Sequence, residues 1–276
     1  MSSRANLDRL SALLEGLAPH ISVKHAGGVS ATAEFASEQA AFVRLHLITE
    51  GRAQLKLADG KSLCLAAPAI AVLRADCGHA LIPCADEPPP SFMCVEARFS
   101  GPAGAMLLEA FACPLLVPLN EPEADLGLVI RLIAFEVAQP RCGRPALLTR
   151  AGDILFIGLL RHLIAHPRTA FGLLNGLADH RIARTLVAMH AAPNMHWTLD
   201  DLAQEAGMSR TAFAILFRET MDRTPGSYLA QLRLSIARRA VEQGLGLKRA
   251  ARESGYASTT ALSRALARES GAVLES

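Results

Sequence analysis

Apolar residues recur at helical spacing over residues 3–17 (SRANLDRLSALLEGL), where Leu7, Leu10, Leu13, Leu14 and Leu17 predict a short amphipathic helix. From about residue 20 the period shortens. FVRLHLI (42–48), AQLKLA (53–58), SLCLA (62–66), AIAVLR (69–74) and SFMCVEARF (91–99) partly alternate apolar with polar and are split by Gly, Asp-Gly and Pro-containing stretches. That spacing, roughly ten residues per strand, predicts a small antiparallel barrel or sandwich. Asp59-Gly60 marks a hairpin turn, and the Asp86-Glu87-Pro88-Pro89-Pro90 run marks an exposed loop. Beyond Pro102 the strand texture fades, and residues 103–112, 123–138 and 147–166 read as helices. The last of these, LLTRAGDILFIGLLRHLIAH, is apolar on more than one face and has to bury both, either as core or as a subunit contact.

Residues 179–276 read as helices throughout. Asp179 is placed to cap HRIARTLVAMHA, which stops at Ala192-Pro193-Asn194, and Thr198 with Asp201 opens a short helix over 199–206. Gly207-Met208 makes a turn, Ser209 caps a helix over 210–221, and Pro225 opens a long helix to about Gln243, ended by Gly244. Then the pattern recurs: a short helix near 247–254, the turn Gly255-Tyr256, Ser258 as a cap, and a helix to about Ser270. LDDLAQEAGMSRTAFAILFRE (199–219) lies over LKRAARESGYASTTALSRALARE (247–269) with small length differences. Gly207 and Gly255 sit where the turn needs a left-handed residue, and Ala203 and Ala251 where paired helices cross closely. Phe213 and Phe217, like Leu262 and Leu266, are four apart and point at a core. A helix-turn-helix lays its second helix in a DNA major groove while the first crosses the backbone. Two copies on one connecting helix would set two reading helices about one helical turn of DNA apart. A plain helical bundle is the competing reading; the duplication and the paired Ser caps weigh against it.

Charge sharpens this picture. The 276 residues carry a formal net charge of +2 and are 51% hydrophobic, enough for packed cores and for two domains. Residues 1–196 hold 17 basic and 17 acidic side chains, whereas residues 210–268 hold 11 basic and 4 acidic. The positive excess therefore falls in the stretch that would meet a polyanion. No apolar run reaches the ~18 residues of a membrane span, and the polar N-terminus is unlike a signal peptide, so a cytoplasmic protein with no membrane contact is expected. Cys64, Cys77, Cys84, Cys94, Cys113 and Cys142 are scattered, which predicts reduced thiols and not a disulfide framework.

The C-terminal residues 180–271, from WTLDDLAQEAGMSRTAFAILFRETMDRTPGSYLAQLRLSIARRAVEQG through LKRAARESGYASTTALSRALARESG, resemble the DNA-binding domain of the AraC/XylS transcription regulators. The N-terminal part is similar to the cupin-type sensor domain of some of these regulators, through RLHLITEGRAQLKL (44–57), DCGHAL (76–81) and MCVEARFSGPAGAMLLEAF (93–111). The resemblance implies an α+β chain: a cupin-like antiparallel barrel or sandwich over 1–115, a helical linker and dimerisation region over 116–176, and an all-α domain with two helix-turn-helix motifs over 177–276. It places base reading on Thr211, Ala214 and Ile215 in the first motif and on Thr260, Ser263 and Arg264 in the second, with Thr259 a further DNA-contact position. Many relatives carry Arg or Gln where this chain has Ala214 and Ile215, so those two can meet only a thymine methyl or the sugar wall, and Arg264 is the expected base reader. Ser209, Arg210, Arg218, Ser258, Arg249 and Arg268 are the expected phosphate contacts or solvated side chains. Arg238 and Arg239 are expected at the surface or in ion pairs.

In the first half, His46 and His79 stand where a cupin places metal-binding histidines, but the full set is incomplete. No metal or other cofactor is expected, with His46, His79 and Cys77 as the alternative metal set. Cys77 and Cys94 carry two open readings, inert buried thiols or redox-sensing thiolates. Arg44 and Arg74 could meet an anionic effector, and His20 and His25, in a loop-like segment, read as exposed and inert. The function expected is a sequence-specific DNA-binding transcription regulator, with activator and repressor both open, whose sensor responds to a small molecule or oxidant. Its expected partners are double-stranded DNA, the effector, RNA polymerase and a second copy of the chain. The alternatives are a metal-dependent cupin enzyme and a ligand-binding protein with a degenerate DNA-binding domain.

Overall fold

The computed structural model describes residues 8–84, 87–111, 114–119, 124–167 and 171–274. The chain begins with helix α1 (Arg9–Leu17), whose cap Asp8 accepts from the Leu10 N–H. Eight strands follow: β1 (Pro19–Gly28), β2 (Ala33–Phe35), β3 (Phe42–Glu50), β4 (Arg52–Leu57), β5 (Ser62–Ala66), β6 (Ala69–Arg74), β7 (His79–Pro83) and β8 (Ser91–Phe99). Next come helix α2 (Gly104–Glu109), strand β9 (Leu115–Pro118) and helices α3 (Ala124–Ala138) and α4 (Arg144–Ala165). The remainder is helical: α5 (Leu173–Ala178), α6 (His180–Ala191), α7 (Leu199–Ala206), α8 (Arg210–Met221), α9 (Pro225–Glu242), α10 (Leu247–Ser254) and α11 (Thr259–Leu274). These elements form two compact units. One holds Pro19–Phe99 and Phe111–His166; the other holds α1, Ser100–Ala110 and the chain from Pro167 onward.

The first unit is a sandwich of two antiparallel sheets, ordered β1-β8-β3-β6-β9 and β2-β7-β4-β5. Strand β4 alternates exposed Arg52, Gln54 and Lys56 with buried Ala53, Leu55 and Leu57, because the outer face of its sheet meets water. Strand β3 is buried from Phe42 to Ile48, because helices α3 and α4 cover the outer face of the five-stranded sheet. Gly152 of α4 permits that approach, since a Cβ there would meet Ile21 Cγ2 at 3.1 Å. Between the sheets, Ile48, Leu55, Leu65, Leu73, Leu81, Phe92 and Cys94 form a core. Each large apolar side chain removed from water there contributes about 1.5–3 kcal/mol. The Asp59-Gly60 turn joins β4 to β5 as expected, with Gly60 at φ +87°.

The structure corrects the sequence reading in four places. Residues 115–118 form an edge strand on β6, where helical texture was expected. A Leu-Leu-Val run closed by prolines on both sides is short enough to be missed by any periodicity test. Helix α2 spans only 104–109 of the expected 103–112, and α4 begins at Arg144 instead of 147. His20 and His25 lie on strand β1, not in a loop, and His25 stacks on Phe92 at 4.6 Å. Residues 3–7 of the expected first helix, Cys113 and Asp86 lie outside the described residues.

In the helical unit the capping signals hold residue by residue. Asp179 accepts from the N–H groups of Arg181 and Ile182, and Thr198 and Asp201 form a reciprocal capping box. Ser209 and Ser258 accept from the N–H groups three residues on, at 3.4 and 3.1 Å. Gly207 (φ +68°) and Gly255 (φ +77°) make the two left-handed turns. Phe213, Phe217 and Tyr228 are fully buried, with the Phe217 and Tyr228 rings edge to face. Leu262 joins Ala237, Ala240, Ala250 and Ala251 in a smaller cluster, with Leu266 and Tyr256 against it. Ala203 and Ala251 are both buried, as close helix crossings require.

Candidate nucleic-acid interface

Helix α8 buries Phe213, Phe217 and Met221, a spacing of four that commits one stripe to the core and turns the opposite stripe outward. Thr211, Ile215 and Arg218 are exposed, Ile215 by 54%, and Ala214 is half-buried. Helix α11 repeats the arrangement: Leu262 is buried, whereas Thr259, Thr260, Ser263, Arg264 and Arg268 are exposed. The sequence-expected reading residues therefore occupy the outward stripe of each second helix, with Ala214 at its inner edge.

The basic side chains divide by partner. Arg218 has no hydrogen bond or ion pair from its guanidinium among the described residues. Arg210 faces Asp200 at 3.5 Å, and Arg249 is ion-paired to Glu253 at 2.6 Å across one helical turn. Arg268 donates to the Arg264 carbonyl at 3.3 Å. Exposed pairs of this kind are worth under about 1 kcal/mol, so a phosphate can displace them. Arg233, which sequence reasoning did not single out, is structural. It donates to the carbonyls of Pro193 and Met195 at 2.7 Å each and pins the loop before α7 to α9.

Sequence reasoning also missed a cavity of about 460 Å³ beside α8, lined by Trp197, Leu202, Ala214, Ile215, Arg218 and Leu229 together with Leu199 and the first turn of α9. The only legible signal was Trp197, the single tryptophan of the chain. Its indole N–H donates to the Ala192 carbonyl at 2.9 Å, which fixes the ring.

Inside the sandwich, strand register aligns His25 of β1, Cys94 of β8 and His46 of β3 in one row. From the other sheet His79 reaches across, and the Nε2 atoms of His46 and His79 lie 2.7 Å apart. His79 Nδ1 lies 2.8 Å from the Cys77 carbonyl, so it carries a proton. Neutral His79 then accepts at Nε2, His46 donates from its Nε2, and His46 Nδ1 is left as a buried lone pair without a partner. Burial first, then His79, Arg44 and His25, hold the His46 imidazolium well below its usual pKa; burial also lowers His79. Both rings are neutral at physiological pH.

Three sequence expectations look different in this setting. Arg44 is buried, and each of its three nitrogens meets an internal acceptor, the Ala36 carbonyl, Glu38 or Glu96, so its charge is already balanced by carboxylates. Arg74 is paired with Asp76. Burial pushes the Cys94 thiol up to about 12, so the reactive thiolate is absent at neutral pH. Cys77 meets His79 through its backbone carbonyl, and among the described residues no three His, Cys, Asp or Glu side chains are grouped to hold a metal.

Comparison with known proteins returns a cupin domain followed by a helix-turn-helix domain. A cupin family matches residues 8–165, more than half of the chain, and a helix-turn-helix domain family matches residues 202–275. The chain belongs to that cupin family, and its C-terminal part carries a helix-turn-helix domain. It is 31% identical over 172 residues to the HTH-type transcriptional regulator AlkR of Acinetobacter baylyi, covering 60% of this chain and 56% of AlkR, so it spans little more than half of that relative. It is 28% identical over 233 residues to the RCS-specific HTH-type transcriptional activator RclR of Escherichia coli, covering 83% of this chain and 81% of RclR. Alignment to the crystal structure of unsaturated fatty acid bound ToxT from Vibrio cholerae covers 90% of each chain at 14% identity, with a TM-score of 0.38.

Proposed function

We propose that the chain is a DNA-binding transcription regulator, an activator and not an enzyme, whose cupin domain senses a small molecule or oxidant and changes the hold on DNA. The observation that carries this reading is the outward stripe repeated on α8 and α11, each behind a Ser cap and a left-handed glycine, in the segment that bears the net positive charge. In this reading the sensing residues lie within 1–115, the linker and dimer contact within 116–176, and the DNA contacts within 177–276. Thr211, Thr259, Thr260, Ser263 and Arg264 face the bases, Ala214 and Ile215 supply apolar contact, and Ser209, Arg210, Arg218, Ser258 and Arg268 meet phosphates.

A second copy of the chain fits α3. Leu128, Leu132 and Phe135, at successive turns of one face, are 61%, 41% and 47% exposed. A stripe of that size on a helix is costly in water and favours an isologous contact. RNA polymerase is the further partner that an activator bound beside a promoter would meet, in the cytoplasm. No helix among the described residues is long and apolar enough to cross a membrane.

Binding-site selection on fragmented genomic DNA at low salt, followed by titration of an enriched fragment, tests the reading. Enriched sites bound tighter than bulk DNA are the expected result. Uniform retention of all fragments would instead support the ligand-binding protein with a degenerate domain, a reading that Ala214 and Ile215 favour.

A further inference from the structure

The cavity beside α8 has a chemistry that the DNA-binding reading does not use. Its walls are Trp197, Leu199, Leu202, Ile215, Pro225 and Leu229, and its volume of about 460 Å³ falls within the ~300–1,000 Å³ of small-molecule sites. Two groups interrupt the apolar lining. One is Arg218, a lining residue whose guanidinium has no ion pair among the described residues. The other is the first turn of the 18-residue helix α9, where Thr224 caps the Ser227 N–H and Gly226 presents a backbone N–H that no helical carbonyl can satisfy. No carboxylate lines the cavity. An occupant complementary to all of this is apolar along its body and carries one negative charge at one end. A cation would meet Arg218 unscreened, and a fully neutral apolar molecule would leave that donor cluster unpaired.

We propose that this cavity is an effector site for an amphipathic monocarboxylate, with its carboxylate on Arg218 and the α9 N-terminus and its hydrocarbon or aromatic body against Trp197, Leu202 and Leu229. Because Ile215 and Arg218 line the cavity and also stand on the outward stripe of α8, the bound acid and DNA compete for the same two side chains. That consequence rests on the DNA-binding reading; the binding itself does not.

Trp197 is the only tryptophan, so its emission reports occupancy of the full-length protein without a label. Titration with sodium decanoate should change that emission saturably, and decanol should bind about tenfold or more weakly, the loss expected when a charge-assisted hydrogen bond is absent. Arg218→Gln should erase the preference for decanoate over decanol, and Arg218→Lys should keep most of it. Gly226→Leu adds a side chain to a residue of the cavity lining where a Cβ meets nothing within 4 Å, so the added bulk at the rim clashes with no neighbour and should weaken saturable binding. No saturable change in the wild type, equal affinity for acid and alcohol, or a titration unaffected by Gly226→Leu would each overturn the site. In a second arm, decanoate should release a bound DNA fragment from the wild type and less readily from Gly226→Leu. The fluorescence arm contains no DNA, so a chain that binds the acid but no DNA refutes the regulator reading alone, and one that binds DNA but not the acid refutes this inference alone.

Discussion

At the scale of single residues, Arg264 and His190 make separable predictions. Arg264 is exposed on the outward stripe of α11 and has the fork that pairs with guanine. Arg264→Ala is expected to cost about 1–3 kcal/mol on a selected fragment and to relax preference at one base. A competition series across single-base variants checks this, and equal loss on every variant would make Arg264 a phosphate contact. His190 is half-buried against Tyr228, with its Nε2 2.7 Å from the phenolic oxygen, and desolvation lowers its pKa to about 4. The unfolded chain takes up a proton near pH 6.5 that the folded chain refuses. Stability is therefore full above about pH 7 and declines as pH drops toward 4, by about 2 kcal/mol at pH 5 from this residue. His46 and His79 act in the same direction in the sandwich. Thermal melts of wild type and His190→Gln at pH 7.5 and 5 should show a smaller pH loss in the variant.

At the scale of elements, the two helix-turn-helix turns look alike in sequence and differ in surroundings. A Cβ on Gly207 would meet only the Arg184 side chain at 3.8 Å, so Gly207→Ala bears the left-handed backbone strain alone, about 1–2 kcal/mol. A Cβ on Gly255 would approach the Asn194 Cα to 2.7 Å and the Pro193 carbonyl oxygen to 3.2 Å, both backbone atoms that cannot swing aside. Gly255→Ala should therefore cost clearly more than Gly207→Ala in denaturant unfolding. A similar difference separates what could be read at these elements from what could not. The caps Asp179, Thr198, Ser209 and Ser258 act within three residues of themselves, and their helices begin where sequence places them. Strand β9 is held by register with β6, an interaction between residues more than 40 positions apart, and its four residues carry no period of their own. Strand β1 was hidden for the same reason: its long pairing with β8 outweighs a Gly- and His-containing sequence of weak strand propensity.

At the scale of the whole molecule, the predictions concern assembly and salt. Leu132→Lys on the exposed stripe of α3 should convert a dimer to a monomer in size-exclusion chromatography with light scattering at micromolar concentration. A wild-type monomer under those conditions would remove the dimer from the proposal. If about six phosphates are neutralised, DNA affinity should fall by roughly three decades between 50 and 200 mM salt, and Arg218→Gln should lower the slope by about one. The division into units also escaped local reading. Helix α1 and residues 100–110 belong with the C-terminal helices, although strands stand between them in the chain. The approach of α1 to α6 depends on Gly16, where a Cβ would meet His190 Nδ1 at 3.1 Å, a constraint no window of sequence contains.

Sequence alone determined the tandem helical repeat, its caps and turns, the outward stripes of α8 and α11 and the placement of positive charge. Each of these depends on side chains acting on their own backbone or on neighbours three and four residues away. Tertiary structure decided which of the remaining polar groups are available for chemistry. It buried Arg44 between two carboxylates, raised the Cys94 thiol out of its reactive range, turned His46 toward His79 and opened the cavity beside Trp197. Desolvation and charge pairing arise between strands and helices far apart in the chain, and only folding brings those partners within reach.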